Sequence, residues 1–189
     1  LGIQGGFNWL SEQIIAQLSQ DDWDYGSPTH YFGLDHEATG NPRLDLLGSS
    51  ATVGDIMANA QNNFNIFKET VKQDYRNIQI LGKDVITYEG GQHFVGNVFG
   101  QPYDYQQAMW DAQKSMQMYD MYKNLHDTIR SWGCKLATNF SLAGAQESVY
   151  GSWGVMETID IQPPYMNTAP KNQALLDSKP ESDCTKTIV

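Results

Sequence analysis

Residues Lys83-Asp84-Val85-Ile86-Thr87-Tyr88-Glu89 are followed at once by Gly90-Gly91. A short run of β-branched and apolar residues that meets two glycines is typical of a buried strand. The stretch therefore predicts a strand that the glycines stop sharply and that presents a carboxylate, Glu89, at its end.

Three similar strands are predicted elsewhere in the chain, namely Leu1–Gly5, Ser27–Gly33 and Cys134–Phe140. Apolar residues spaced by three or four positions predict helices between the strands. These helices cover Asn8–Leu18, about Val53–Arg76, about Tyr105–Trp132 and a short final segment from about Thr168. Residues 34–50 are rich in Gly, Asp, Asn and Ser and predict a long loop.

The resulting order, strand and helix repeated four times, predicts an α/β fold with parallel strands. Four such units are half of a (β/α)8 barrel, or TIM barrel. A flavodoxin-like open sheet is the alternative architecture. That sheet usually has a glycine-rich phosphate loop after its first strand, and Gly2, Gly5 and Gly6 form a poor version of one.

Composition narrows the class of protein. The chain has 189 residues, of which 40% are hydrophobic, so it can build a core. It has no apolar run of 18 residues, which excludes a membrane span of the usual kind. Its formal charge of −10 would repel a phosphate backbone, so we expect no nucleic-acid partner. Neutral ligands meet no such repulsion.

The few cysteines and histidines predict neither a metal site nor a cofactor. Cys134 lies in a predicted strand and Cys184 in a polar tail, which defines no disulfide framework. The four histidines contain no His-x-x-x-His pair. The residues that begin with Leu1 are typical of a strand and not of a signal peptide. We therefore expect the chain to have been cut from a longer protein.

Active sites of parallel β/α folds lie at the carboxyl ends of the strands. Polar side chains and rings near those predicted ends are therefore the candidate site residues. They are Glu89 and Tyr31 as catalytic residues, and Gln4, Gln92, His93, Asn139 and Trp153 as substrate-binding residues.

Glu89 is the predicted nucleophile, because a carboxylate at a strand end can attack the anomeric carbon of a sugar. Tyr31 is predicted to hold that carboxylate by a hydrogen bond, although its ring could equally belong to the core. Trp153 is interpreted as a stacking platform for a sugar or as a lid, and His93 as a ligand of a sugar hydroxyl. The run Asp35-His36-Glu37 is interpreted as a solvated loop.

The segment Thr87–His93 resembles the Tyr-Glu-Gly-Gly-Gln-His signature of a poorly characterised family of bacterial glycoside hydrolase-like (β/α)8 barrels. Weaker resemblances occur in the expected order along residues 1 to about 177. They involve Tyr31–Gly33, Met118–Tyr122, Tyr150–Gly154 and Ala169–Lys171.

The resemblance implies that the chain is the C-terminal half of a TIM barrel, strands five to eight, followed by a polar tail at 178–189. It also implies a retaining glycosidase of the family-five-like clan. In that clan a glutamate at the end of strand seven, here Glu89, is the nucleophile, and a tyrosine on strand six, here Tyr31, contacts it. The acid/base glutamate belongs to strand four, so we expect an N-terminal half to be needed for full hydrolysis.

The partners expected are therefore a carbohydrate substrate and the missing N-terminal half of the barrel. Localisation outside the cell or in the periplasm follows from the resemblance alone. Two alternatives remain open at this stage. One is a non-catalytic carbohydrate-binding or surface protein on a barrel scaffold, and the other is a half-barrel that dimerises to close its sheet.

Overall fold

A computed structural model describes residues 2–3 and 8–180. Its strands are β1 (Gly2–Ile3), β2 (Tyr25–Gly26), β3 (His30–Gly33), β4 (Asp84–Thr87), β5 (Gly90–His93) and β6 (Cys134–Ala137). Its helices are α1 (Asn8–Gln17), α2 (Leu44–Leu47), α3 (Val53–Gln79), α4 (Gln106–Asp111), α5 (Met116–Ser131) and α6 (Pro170–Asp177). The chain is thus a mixed α/β fold, as the sequence predicts.

All the paired strands run parallel and form two small sheets. The first has the order β1-β2-β4-β6, so each new strand is added beside the preceding one. The second contains β3 and β5, which pair from His30 with Gly90 to Gly33 with His93. Within the described strands the order never reverses, whereas an open doubly wound sheet reverses at its ligand-binding crevice.

Two of the predicted strands pair over only part of their length, and a short strand of the other sheet lies next to each in the sequence. The predicted strand Ser27–Gly33 is wrong at its start, because pairing begins at Tyr25, stops around Pro28 and resumes at His30. Proline has no N–H to donate to a ladder, which explains the interruption. The predicted stop at Gly90-Gly91 is also wrong, because both glycines belong to β5.

The predicted continuous helix over Tyr105–Trp132 is divided into α4, a 3-10 turn at Ala112–Lys114 and α5. Ser115 causes the division. Its hydroxyl donates to the Ala112 carbonyl over 2.8 Å and accepts from the Met118 N–H over 3.1 Å. A serine that bonds to the nearby backbone in this way begins a new helix instead of continuing the old one.

Helix α3 begins and ends with clear local signals. Thr52 and Asp55 form a reciprocal capping box at its start. The helix continues to Gln79, beyond the predicted end at about Arg76, and Gly82 follows with φ +73°. The predicted loop 34–50 contains α2 and a 3-10 turn at Gly48–Ser50.

The core lies between the strands and the long helices α3 and α5. Phe32 on β3 packs edge-on against the rings of Phe94 and Tyr122, which have centroids 5.9 and 5.6 Å away. Alternate residues of β3 therefore point to opposite sides, with His30 and Phe32 toward the helices and Tyr31 away from them. None of the helices in the described ranges is long and apolar enough to cross a bilayer.

Replacing Gly90 by alanine is expected to destabilise the fold. A Cβ at this position would overlap the ring of His30, which is 1% exposed and has no room to retreat. Overpacking of this kind costs about 1–3 kcal/mol, which chemical denaturation can measure.

Gly54→Ala is the matched control for that experiment. A Cβ at Gly54 would make only an ordinary contact, 3.5 Å from Thr52 Oγ1, in the first turn of α3. Alanine is also the better helix former, so this variant should be neutral or slightly stabilised. Equal stability of the two variants would show that His30 moves aside without cost.

Candidate functional site

Glu89 lies between β4 and β5, at the carboxyl end of β4. The phenol of Tyr31 on β3 lies close enough to its half-buried side chain for the two groups to interact electrostatically. Burial of the Tyr31 hydroxyl raises its pKa, and the negative charge of Glu89 raises it further. The phenol therefore stays protonated at neutral pH and can donate to the carboxylate. The structure thus places Tyr31 near Glu89, while the hydrogen bond between them and its catalytic role stay predictions.

A group of rings surrounds the Tyr31 side chain, and we call it the ring wall: Tyr31, His93, Trp153 and Phe140. The Tyr31 centroid lies 5.6 Å from that of His93 and 6.0 Å from that of Trp153. Trp153 lies 5.0 Å from His93 and 5.6 Å from Phe140. All four contacts are edge-to-face, an arrangement that aromatic pairs favour.

Several backbone contacts fix Trp153 in the wall. Its indole N–H donates to the Tyr150 carbonyl over 2.8 Å, and its own carbonyl accepts from the Ser141 N–H over 3.1 Å. Phe140 is fixed by its N–H, which donates to the Gly90 carbonyl over 3.0 Å. His93 and Phe140 are both exposed, so the wall offers ring surface to a ligand.

Gln92 has a different position from the one predicted for a substrate ligand. Its side chain is fully buried, and its amide N–H donates to the Ser152 carbonyl over 2.7 Å. Its amide oxygen accepts from the Phe94 N–H, also over 2.7 Å. Because β5 alternates its side chains, Gln92 points inward while His93 next to it points out. Gln92 therefore supports the loop that carries Trp153 and does not face a ligand.

Asn139 also lies behind the ring wall and not in it. Its amide oxygen is 3.3 Å from Nε2 of the buried His126 on α5. It therefore faces α5 and lines the groove that follows β6, and its predicted contact with substrate stays a prediction. The predicted ligand Gln4 lies outside the described residues.

Lys171 is a buried residue that sequence reasoning did not single out. Its ammonium group donates to the Ser152 carbonyl and to Gln113 Oε1, both over 2.9 Å, and the side chain is 1% exposed. Burial lowers its pKa to about 7, because the charged form loses its hydration. The Ser152 carbonyl therefore accepts two hydrogen bonds, one from Lys171 and one from Gln92. A lysine at the start of a helix gives no sequence signal for such a role.

Two grooves of the molecule lie away from Glu89. One, of about 520 Å³, runs between α3 and α5 and includes Met57 and Met121. The other, of about 620 Å³, follows β6 and includes Leu136 and Asn139. Neither groove is lined by Glu89 or by a ring of the ring wall. In the described part of the chain, no three His, Cys, Asp or Glu side chains are placed to hold a metal ion.

Comparison with protein-family models, with curated proteins and with solved structures gives no match for this chain. The resemblance to the glycoside hydrolase-like family therefore stays a prediction.

Gln92→Leu tests the supporting role of this residue. Removal of the amide leaves the buried Phe94 N–H without an acceptor, which is expected to cost about 1–3 kcal/mol of folding free energy. Gln107→Leu, on the exposed face of α4, is the matched control and should change stability little. A Gln92→Leu protein as stable as the control but weaker in sugar binding would restore the original prediction.

Proposed function

We propose that this chain is the C-terminal half of a TIM barrel, strands five to eight, and carries the nucleophile of a retaining glycoside hydrolase. The observation that carries the proposal is the position of Glu89 at the carboxyl end of parallel strands, where its carbonyl accepts from the His30 N–H and its carboxylate lies beside the Tyr31 phenol. This is the arrangement that the resemblance implies for strands six and seven of such barrels.

The strand order supports the barrel. Four parallel strands in the order β1-β2-β4-β6, each joined to the next through helical segments, correspond to four consecutive barrel units. The exposed Leu136 on β6, with 56% of its surface accessible, fits a strand edge that a further part of the barrel would cover.

The ring wall supports a sugar as the ligand. Aromatic rings stack on the apolar faces of sugars, and Trp153 and Phe140 present such rings beside the carboxylate. The net charge of −10 favours a neutral substrate over a phosphorylated one. A neutral glycan fits both properties.

In the proposed reaction a Glu89 oxygen attacks C1 of the sugar. The C1–O bond to the leaving group breaks, and the leaving oxygen takes a proton from a second carboxyl group. Water then attacks C1 of the glycosyl ester and returns the carboxylate. The second carboxyl group, about 5–5.5 Å away in retaining enzymes, is expected from strand four of an N-terminal half.

A substrate with a good leaving group bypasses that second carboxyl group. Dinitrophenolate departs without protonation, so attack by Glu89 alone suffices. A 2-deoxy-2-fluoro sugar slows both steps, while the dinitrophenolate leaving group keeps formation of the ester faster than its hydrolysis, so the sugar stays attached.

We expect a panel of dinitrophenyl 2-deoxy-2-fluoroglycosides to label the protein on the peptide that contains Glu89. Mass spectrometry of the intact and digested protein measures the added sugar. Glu89→Gln should abolish labelling, because an amide is a poor nucleophile. Glu147→Gln, an exposed carboxylate in the loop after β6, is the control and should be labelled normally. Labelling that survives in Glu89→Gln would remove Glu89 from the mechanism.

Tyr31→Phe is expected to lower the rate of labelling by about 10–100-fold. The variant loses the predicted hydrogen bond to a charged group, worth about 1.5–3 kcal/mol, while it keeps the ring in the wall. Tyr150→Phe serves as the control, because Tyr150 is 72% exposed and contacts Trp153 through its backbone. An unchanged rate in Tyr31→Phe would mean that the phenol does not orient Glu89.

The ring wall also favours a second function, a non-catalytic carbohydrate-binding protein on the same scaffold. The exposed Phe140 and His93 beside Trp153 could bind a sugar without any bond cleavage. This alternative predicts sugar binding with no labelling of Glu89 by any member of the panel.

A further inference from the structure

A second group of rings lies in the loops that follow β3 and β5. His36 Nδ1 is 2.8 Å from the hydroxyl of Tyr105, and these two rings are nearly parallel, at 18°. Tyr103 stacks on both, with centroid distances of 4.6 Å to His36 and 5.0 Å to Tyr105. Tyr105 is buried, whereas Tyr103 and His36 keep accessible surface. Tyr103 is thus the outer ring of a flat stack with a fixed base.

The loop that carries His36 is built by specific contacts. The buried side chain of Asn59 accepts from the Asp35 N–H and donates to the carbonyls of Asp35 and Pro42, all within 3.0 Å. The Asp35 carboxylate accepts from the Glu37 N–H over 2.9 Å and from the Thr39 hydroxyl over 2.8 Å. These contacts hold the base of the stack within the fold, while the neighbouring Glu37 is exposed to solvent.

The stack adjoins the ring wall. Gly33 pairs with His93 at the end of β3 and β5, and His36 follows only three residues later. His93 in turn contacts Tyr31, the partner of Glu89. The two groups of rings therefore belong to one surface at the carboxyl ends of the strands.

We infer that Tyr103, stacked on His36 and Tyr105, is a second sugar-binding platform, which binds a sugar unit of the same chain at a distance from Glu89. The inference rests on the proposed function and deepens it, because two platforms on one surface fit a neutral oligosaccharide or polysaccharide and not a single glycoside. A ring that is already ordered loses little conformational entropy when a sugar stacks on it. Exposed Glu37 beside His36 can accept hydrogen bonds from sugar hydroxyls.

The test uses the Glu89→Gln protein, in which turnover is blocked, and titrates it with neutral gluco-, manno- and xylo-oligosaccharides. Isothermal titration calorimetry compares the disaccharide with the hexasaccharide of each series. We expect one series in which the hexasaccharide binds at least about tenfold more tightly, a difference of about 1.4 kcal/mol. Adding Tyr103→Ala should remove that gain and leave the affinity for the disaccharide unchanged.

Two further variants separate stacking from folding. Tyr103→Phe keeps the ring and should keep the gain, whereas Phe67→Ala removes a ring that is 51% exposed on α3 and should change neither affinity. Should Tyr103→Ala fold poorly, NMR of the Glu89→Gln protein replaces it. Saturation transfer from the ring protons of Tyr103, assigned by comparison with Tyr103→Phe, must then reach the hexasaccharide.

The outcomes separate this inference from the proposed function. The platform is overturned if a folded Tyr103→Ala protein still binds the hexasaccharide more tightly than the disaccharide. It is also overturned if the affinity does not increase with the length of the oligosaccharide in any series. Labelling of Glu89 by fluoroglycosides is independent of both results. Loss of the gain in Tyr103→Ala without any labelling of Glu89 would support the platform and overturn the glycosidase.

Discussion

The position of Glu89 depends on the two consecutive residues His30 and Tyr31 of the neighbouring strand. The His30 N–H donates to the Glu89 carbonyl over 3.2 Å, and the Tyr31 phenol lies beside the Glu89 carboxylate. One residue thus holds the backbone of Glu89, and the next lies next to its side chain. The His30 ring lies so close behind Gly90 that no side chain fits there, and Gly91 at φ +120° leaves only 2.8 Å from a notional Cβ to the Tyr122 hydroxyl. This close approach lets the chain pass from β4 into β5 directly after Glu89.

The order of the elements could be predicted from the sequence, because it depends on the period of apolar residues along the chain. The points at which these elements are interrupted could not be predicted, because they depend on individual hydrogen bonds. Pro28 interrupts one ladder and Ser115 starts a new helix, and both are compatible with a continuous pattern of apolar residues. Gly90-Gly91 looked like a stop, since glycine weakens strands in general. Here the missing side chains are what the packing against His30 and Tyr122 requires.

The same distinction, between a pattern along the chain and individual contacts, explains which residues of the candidate site could be predicted. Residues that project from strand ends toward solvent, Glu89, Tyr31 and His93, could be chosen from position alone, and the structure brings them together. Gln92 was chosen by the same rule, but the alternation of β5 turns it inward to Ser152 and Phe94. His36, Tyr103 and Tyr105 were not recognised as a group, because they meet through two loops whose paths no local pattern predicts. Lys171 was not singled out for a related reason, since its partners are distant in sequence.

The partner of Glu89 bears on the chemistry proposed for it. A cation beside a carboxylate stabilises its charge strongly and would make it a weaker nucleophile. A phenol donates one hydrogen bond without a net charge, so it fixes the direction of the carboxylate while leaving more of its negative charge for C1. The raised pKa of Tyr31 keeps that donor protonated when Glu89 is ionised, which is the state that attack on a sugar requires. In the proposed mechanism, one neutral donor therefore supplies orientation, and the ring wall supplies the surface against which the sugar is held.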